Sequence, residues 1–136
     1  MQMLEIDGIP PKLSNQVCEA LICQQYWYQG KLEQEVDALF IKVNEHWHRL
    51  YFDAGIVFWR IQEDAPKPAE SQATDPFVYP LIDVSEKFDI KNCIITDYAT
   101  EPMLKGVQVS IIFENKGSLI ITHSDNKTAL RFIKTT

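Results

Sequence analysis

Residues 36–61 read VDALFIKVNEHWHRLYFDAGIVFWRI, three apolar runs separated by two short polar turns. In the first run Leu39, Ile41 and Val43 occupy alternate positions, which is the period of a half-buried strand. Residues 53–55, Asp-Ala-Gly, indicate a tight turn, because glycine readily adopts the positive φ that such turns need. We therefore predict an antiparallel meander with strands over residues 36–43, 47–53 and 56–61.

The same three-part pattern returns over residues 107–133. With an offset of 70, the apolar residues of the first strand fall on Val109, Ile111 and Phe113. Only Ile41 and Ile111 are identical between residues 36–53 and 106–123, so the prediction depends on strand spacing and not on common ancestry. The second meander is predicted over residues 106–113, 118–123 and 128–133.

The remaining segments give weaker patterns. Leu13, Val17, Ala20, Leu21 and Gln24 approximate a helical stripe, which favours one short helix over about residues 15–23. The other predicted elements are a strand at 4–7, a strand at 24–29, a polar connection at 30–35, a strand at 77–84 interrupted by Pro80, a strand at 90–98, and a turn at 100–102.

Residues 62–76 read QEDAPKPAESQATDP, with three prolines, four acids and no large apolar side chain. Such a segment cannot enter a central strand, so we expect an exposed loop joining two similar halves, about 1–61 and 77–134. The predicted fold class is mainly β, an antiparallel, meander-rich sandwich or barrel-like sheet with one short N-terminal helix, in a single domain over 1–136. An α+β fold is the alternative.

Composition excludes several functional classes. The formal net charge is −6 and the basic residues are scattered, which opposes nucleic-acid binding, because that affinity depends on clustered Lys and Arg. No apolar segment approaches the ~18 residues that span a bilayer, and the N-terminus lacks a secretory pattern. Three cysteines without CxxC spacing suggest a reducing compartment. We expect a cytoplasmic protein that contacts neither nucleic acid nor membrane.

His46 and His48 form the one local pattern typical of metal sites. At positions i and i+2 of a strand both imidazoles point to the same face, and His123 with Asp53 or Asp125 would complete a ligand set. The alternative is that both side chains flank a turn and project into solvent. A metal at His46 and His48 is therefore the minor hypothesis, and no cofactor is predicted.

Signatures of catalysis are missing from the sequence. There is no G-x-S-x-G elbow, and the five glycines have no phosphate-loop spacing. The sequence therefore favours a protein that is not an enzyme.

The aromatic residues suggest a binding surface. Trp47, Arg49 and Tyr51 share one face of a strand whose other face carries Leu50, so this trio points outward if Leu50 is in the core. Trp, Tyr and Arg are enriched at binding hot spots, and Trp59 joins them as a fourth candidate. Burial under a second layer is the competing interpretation.

We therefore expect an acidic, non-enzymatic module that binds a protein partner through an aromatic β face, for example as an inhibitor or an immunity-like protein that neutralises a basic partner. Self-association through the same residues is one alternative. The other is a small-molecule or metal-binding protein, or an enzyme, with its site near His46 and His48.

Overall fold

The computed structural model describes residues 4–68 and 75–135. Its elements in chain order are β1 (Ile6–Asp7), β2 (Val17–Cys18), β3 (Ala20–Tyr28), β4 (Lys31–Val43), β5 (His46–Asp53), β6 (Ile56–Gln62), β7 (Phe77–Val78), β8 (Leu81–Asp83), α1 (Val84–Lys87), β9 (Cys93–Met103), β10 (Gly106–Phe113), β11 (Gly117–Ser124) and β12 (Lys127–Lys134).

These strands form two sheets, so the mainly β, largely antiparallel fold class is confirmed. Within the described residues the first sheet has the order β1-β6-β5-β4-β3-β7, with β8 also paired to β3. The second sheet has the order β12-β11-β10-β9-β2. The meander β4-β5-β6 and the meander β10-β11-β12 both form, and β1 is the strand that pairs in parallel, along β6.

The turn between β5 and β6 fixes the register of the first meander. Ala54 and Gly55 have φ of 50° and 82°, so two residues in the left-handed region connect Asp53 directly to Ile56. A two-residue turn of this kind suits the natural twist of a hairpin. It places Leu50 opposite Trp59 and Tyr51 opposite Phe58.

The inner faces of both sheets form one core. Leu39, Ile41 and Leu50 of the first sheet and Val109 and Ile111 of the second are each at most 1% exposed and belong to the same buried cluster. Alternation along the strands therefore assigned these residues to the correct face.

The two sheets are connected at a corner formed by consecutive strands. β2 pairs with β9 of the second sheet, and the chain then passes through Glu19 into β3 of the first sheet. The Glu19 amide donates to the Lys42 carbonyl at 2.9 Å, while the Asn92 amide donates to the Cys18 carbonyl at 2.7 Å.

A second connection lies on the opposite side of the core, between β4 and β12. The Gln34 side chain donates to the Asn126 carbonyl at 2.6 Å and accepts from the Thr128 amide at 2.9 Å. The first sheet is thus held to the second at both sides of the core.

The predicted helix at residues 15–23 is wrong. Residues 17–18 and 20–23 are strand, with Val17 exposed and Cys18, Leu21 and Cys23 buried in the core. The step of three residues from Cys18 to Leu21 arises at the corner, where the chain changes sheets and the alternation shifts by one position. That shift imitates helical spacing.

Two predicted boundaries also differ from the structure. Residues 31–35 belong to β4, because Gln29 and Gly30 alone complete the turn, and residues 100–102 lie inside β9 instead of forming a turn. Pro102 is tolerated there because β2 pairs only with Cys93 and Ile94, which leaves this part of β9 at the sheet edge.

The single helical turn α1 was not predicted. Asp83 caps it, with the carboxylate accepting from the Glu86 amide at 3.1 Å, and its own first two residues, Val84 and Ser85, are buried. Asp-x-x-Glu at residues 83–86 is the sequence signal, since this spacing resembles a capping box.

The predicted loop at 62–76 is partly described. Residues 63–68 and 75–76 lie outside strands, and residues 69–74 fall outside the described part of the chain. No helix in the described residues is long and apolar enough to cross a membrane.

Candidate functional site

The outer face of the first sheet carries the predicted trio Trp47, Arg49 and Tyr51. Leu50 is fully buried in the core, so the residues on either side of it in β5 point away from the core. Trp47 belongs to a separate apolar cluster on this outer face, built around Ala38 and Phe40. The structure thus brings the three predicted residues together on one surface.

Trp47 lies on this outer face, but neighbouring side chains cover most of it. Its side chain is 8% exposed and packs with Ala38 and Phe40, while Ile22 and Tyr51 pack against the same cluster. Lys42 is its direct neighbour on β4. An apolar base of this kind holds the more exposed neighbouring side chains in place.

Four side chains of β5 and β6 form what we call the arginine–aromatic ladder: Arg49, Tyr51, Phe58 and Arg60. The rings of Tyr51 and Phe58 are stacked, with centroids 4.8 Å apart and planes 3° apart. The Arg49 guanidinium lies 4.6 Å from the Tyr51 ring centroid, and the Arg60 guanidinium lies 5.6 Å from that of Phe58. Each arginine is thus positioned by a cation–π contact on its own strand.

The two arginines of the ladder differ in their partners. Arg60 forms an ion pair with Asp7 at 2.6 Å and donates to the Trp59 carbonyl at 2.8 Å. Within residues 4–68 and 75–135 the Arg49 guanidinium makes neither a hydrogen bond nor an ion pair, and Arg49 is exposed. Its five N–H donors are therefore available to a bound group.

The carboxyl group of Asp37 interacts electrostatically with the Arg49 guanidinium. Burial raises the pKa of the Asp37 carboxyl above its usual range, and the positive charge of Arg49 opposes that effect. The two groups form no ion pair, so Asp37 does not occupy the donors of Arg49.

Trp59 lies on the opposite face of the sheet from the ladder. It is 2% exposed and belongs to the core, where its indole Nε1–H donates to the Tyr98 hydroxyl at 3.1 Å. The Tyr98 ring meets it edge-on, at a centroid distance of 6.0 Å. Trp59 therefore connects the two sheets, and the structure does not place it with Trp47, Arg49 and Tyr51.

Phe58, Arg60, Phe40 and Lys42 share the outer face but were not selected from the sequence. The signal for Phe58 and Arg60 was the two-residue turn at Ala54-Gly55, which fixes the cross-strand pairs of β5 and β6. Counting outward from that turn places Tyr51 beside Phe58 and Arg49 beside Arg60. The turn at Asn44-Glu45 fixes the pairs of β4 and β5 in the same way, and it places Phe40 and Lys42.

His46 and His48 lie at the start of β5, beside a cleft of about 220 Å³ lined by Pro11, Lys12 and Gln16. His46 is exposed and His48 is half-buried. Burial lowers the pKa of His48, and the nearby His46 lowers it further. A lowered pKa leaves the His48 imidazole neutral at neutral pH, as a metal ligand must be, but none of the described residues that line this cleft is an acid.

His123 lies far from that pair. It contacts the turn after β5, and the five-residue step from His48 to Asp53 alone spans about 16 Å of extended chain. The predicted combination of His46, His48 and His123 therefore does not assemble. Across residues 4–68 and 75–135, no three His, Cys, Asp or Glu side chains group in a way that could hold a metal.

His123 is instead a buried polar link between the sheets. The Gly55 amide donates to Nε2 at 3.3 Å, so Nδ1 carries the proton and donates to the Thr128 hydroxyl at 2.9 Å. The Phe52 ring stacks on the imidazole at 5.3 Å. Burial lowers the pKa of His123, and the charge of Asp53 opposes this.

Two polar clefts flank His123 at this end of the molecule. Their volumes are about 510 and 380 Å³, and their linings include Asp37, Asp53 and Asp125. Because both ring nitrogens of His123 already have partners, the imidazole is an unsuitable ligand or base for either cleft.

Comparison with known proteins adds no functional information: no family model, curated protein or solved structure matches the chain.

Proposed function

We propose that this protein is a cytoplasmic, non-enzymatic binding module that holds a protein partner against the outer face of its first sheet. The observation that carries the proposal is the exposed Arg49 guanidinium, which is oriented by the Tyr51 ring and makes no hydrogen bond within the described residues. A surface arginine packed on an aromatic ring loses less side-chain freedom when it captures a ligand group.

The charges of this face support a partner that presents carboxylates. Lys42, Arg49 and Arg60 lie on the outer face, although the chain as a whole has a formal net charge of −6. A guanidinium recognises a carboxylate with two parallel hydrogen bonds. The face therefore suits an acidic protein segment better than the basic partner that the overall charge first suggested.

The aromatic side chains supply the apolar part of the proposed contact. Tyr51 and Phe58 present a stacked pair beside Arg49, and Tyr51 packs against the apolar cluster that contains Trp47. Aromatic residues and arginine contribute most of the binding energy in many protein interfaces.

A capture experiment with matched variants tests the proposal. The purified protein, Arg49→Glu and Arg131→Glu would each be immobilised and exposed to soluble extract from the source cells. Arg131 is an exposed arginine of the second sheet, so its reversal changes the net charge equally at a distant surface. We expect a partner retained by wild type and Arg131→Glu but lost by Arg49→Glu, and regained when an acidic residue of that partner is changed to lysine.

Equal capture by all three proteins, or loss only with Arg131→Glu, would exclude this face as the binding site.

Light scattering on the same samples tests the self-association alternative, because a dimer would have twice the chain mass. Elemental analysis tests the metal alternative at His46 and His48, which has less support because the described lining of its cleft offers two imidazoles and no carboxylate.

A further inference from the structure

Cys18 and Cys93 are direct cross-strand neighbours. They are register partners in the antiparallel pair of β2 and β9, next to the pair Val17 and Ile94. Residues opposite each other in such a pair have Cα atoms about 4.5–5.5 Å apart, within the range of about 4.4–6.8 Å found for disulfides.

Both cysteine side chains lie on the same side of this strand pair. Cys18 is fully buried in the core, and Cys93 packs against that core while remaining partly accessible. The neighbouring pair points the other way, since Val17 is 43% and Ile94 is 41% exposed. The two sulfur atoms are therefore directed to a common region.

In the reduced protein, the two thiols make only long, weak contacts with backbone carbonyls. The Cys18 thiol contacts the Ala20 carbonyl at 3.6 Å, and the Cys93 thiol lies 3.9 Å from the Lys91 carbonyl. A thiol is a poor hydrogen-bond donor, so rotating either side chain toward the other gives up little.

We propose that Cys18 and Cys93 form a disulfide bond when the folded protein meets a low-molecular-weight disulfide, and that this bond reversibly locks β2 to β9 at the edge of the second sheet, beside the corner where the chain enters the first sheet. Both strands belong to the second sheet, and β2 continues through Glu19 into β3 of the first sheet. A bond between them closes a long loop, which restricts the unfolded chain.

The chemistry proceeds by two exchanges. The Cys93 thiol loses its proton to solvent, and its thiolate attacks one sulfur of the small disulfide, forming a mixed disulfide and releasing one thiolate that takes up a proton. Cys18 then loses its proton, attacks the Cys93 sulfur and displaces the second small thiolate. Two protein thiols are oxidised, and one small disulfide is reduced to two thiols.

The accessibility of the two cysteines sets the order of these steps. Burial, helped by the nearby Cys93, raises the pKa of the Cys18 thiol to about 12, so Cys18 is protonated at neutral pH and does not react first. Cys93 is the half-buried member of the pair and therefore meets the oxidant.

Cys23 is an internal control. It is buried in the same core, but its partners on the neighbouring strands are Leu39 and Ile82. No cysteine lies opposite it in the described sheet, so it should remain a free thiol.

The test is to incubate the folded protein with oxidised glutathione, quench with acid and measure intact mass and a non-reducing peptide map. We expect a mass loss of two hydrogen atoms, one cross-linked peptide pair containing Cys18 and Cys93, and a melting temperature higher by about 5–10 °C that reverts on reduction. Cys23→Ser should still form the bond, and Cys93→Ser should not.

The wild-type map decides the question even where a variant fails to fold. A persistent glutathione adduct on Cys93, a cross-link that includes Cys23, or no reaction of the folded chain would overturn the disulfide. An oxidised protein with an unchanged or lower melting temperature would overturn its role in locking β2 to β9 at the corner.

Discussion

Arg49 and Arg60 are direct cross-strand neighbours on β5 and β6, although both are cations. Like charges in this position destabilise a sheet, and among residues 4–68 and 75–135 a counter-ion, Asp7, pairs with Arg60 but none pairs with Arg49. Arg49 therefore occupies a position where sheet stability alone would favour another residue. Residues of this kind are expected at binding sites, where function is retained at some cost in stability.

Arg49→Gln should leave the free energy of unfolding within about 0.5 kcal/mol of wild type or raise it, because relief of the repulsion from Arg60 offsets the loss of the exposed cation–π contact with Tyr51, and Arg49 makes no hydrogen bond with the described residues. Urea denaturation measures the change. Arg60→Gln is the matched control, and it should lose the contribution of an exposed ion pair, about 0–1 kcal/mol. A loss above about 1.5 kcal/mol in Arg49→Gln would mean that this guanidinium has a structural role.

Ile41→Ala and Ile111→Ala should each cost about 2–5 kcal/mol, because both side chains are fully buried and truncation leaves a cavity. The control is Ile61→Ala, since Ile61 is 80% exposed and should cost less than about 0.5 kcal/mol. Urea denaturation of the three variants provides the comparison. Near-zero costs at both buried positions would show that the inner faces are wrongly assigned.

Tyr98→Phe should cost about 1–3 kcal/mol, because it leaves the buried Trp59 N–H without its acceptor. Thr100→Val removes only the second contact of the Tyr98 hydroxyl and is the milder control. The double variant Trp59→Phe with Tyr98→Phe should be less destabilised than the sum of the single variants. Additive costs would argue against the Trp59–Tyr98 hydrogen bond between the sheets.

The stability of the protein should fall in mildly acidic solution through His123. Its pKa is lowered from the ordinary value of 6.5 by burial, so the unfolded chain binds a proton before the folded one does. The stabilisation from neutral His123 is complete above 6.5, and it is lost as pH falls through that value to the lower folded pKa. Protonation also ends acceptance of the Gly55 N–H by Nε2.

Denaturant titrations between about pH 7 and pH 5 measure this effect. His123→Gln should show a smaller loss over the interval than wild type. The pKa of His48 is also lowered, so His48→Gln serves as the control that retains the His123 contribution. Identical pH profiles for wild type and His123→Gln would remove the proposed linkage.

The first meander could be predicted from sequence because local signals specify it. Alternation gave the faces of β4 and β5, and the turn at Ala54-Gly55 gave their connection to β6. The corner at Glu19 could not be recognised, because a strand that leaves one sheet for another shifts its alternation and resembles a helix over a few residues. The crossing depends on contacts with Lys42 and Asn92, which are distant in sequence.

The candidate site was predicted only in part, because alternation along one strand specifies the faces of that strand but not its pairing with other strands. Alternation within β5 placed Trp47, Arg49 and Tyr51 on one surface, but it could not decide whether Phe58 or Trp59 faces inward, since both are large aromatics. The pairing of Leu50 with Trp59 decides this in favour of Trp59. The position of His123 depends on packing between the sheets, which no local pattern encodes.

Photo-cross-linking inside source cells tests the binding face most directly. A benzophenone amino acid in place of Lys42 would lie beside Trp47 on the outer face, and the same group in place of Arg131 would report on the second sheet. We predict a discrete adduct with one acidic protein from position 42 that disappears when Arg49→Glu is added, and no such adduct from position 131. Equal labelling from both positions, or a position-42 adduct that survives Arg49→Glu, would contradict the proposed surface.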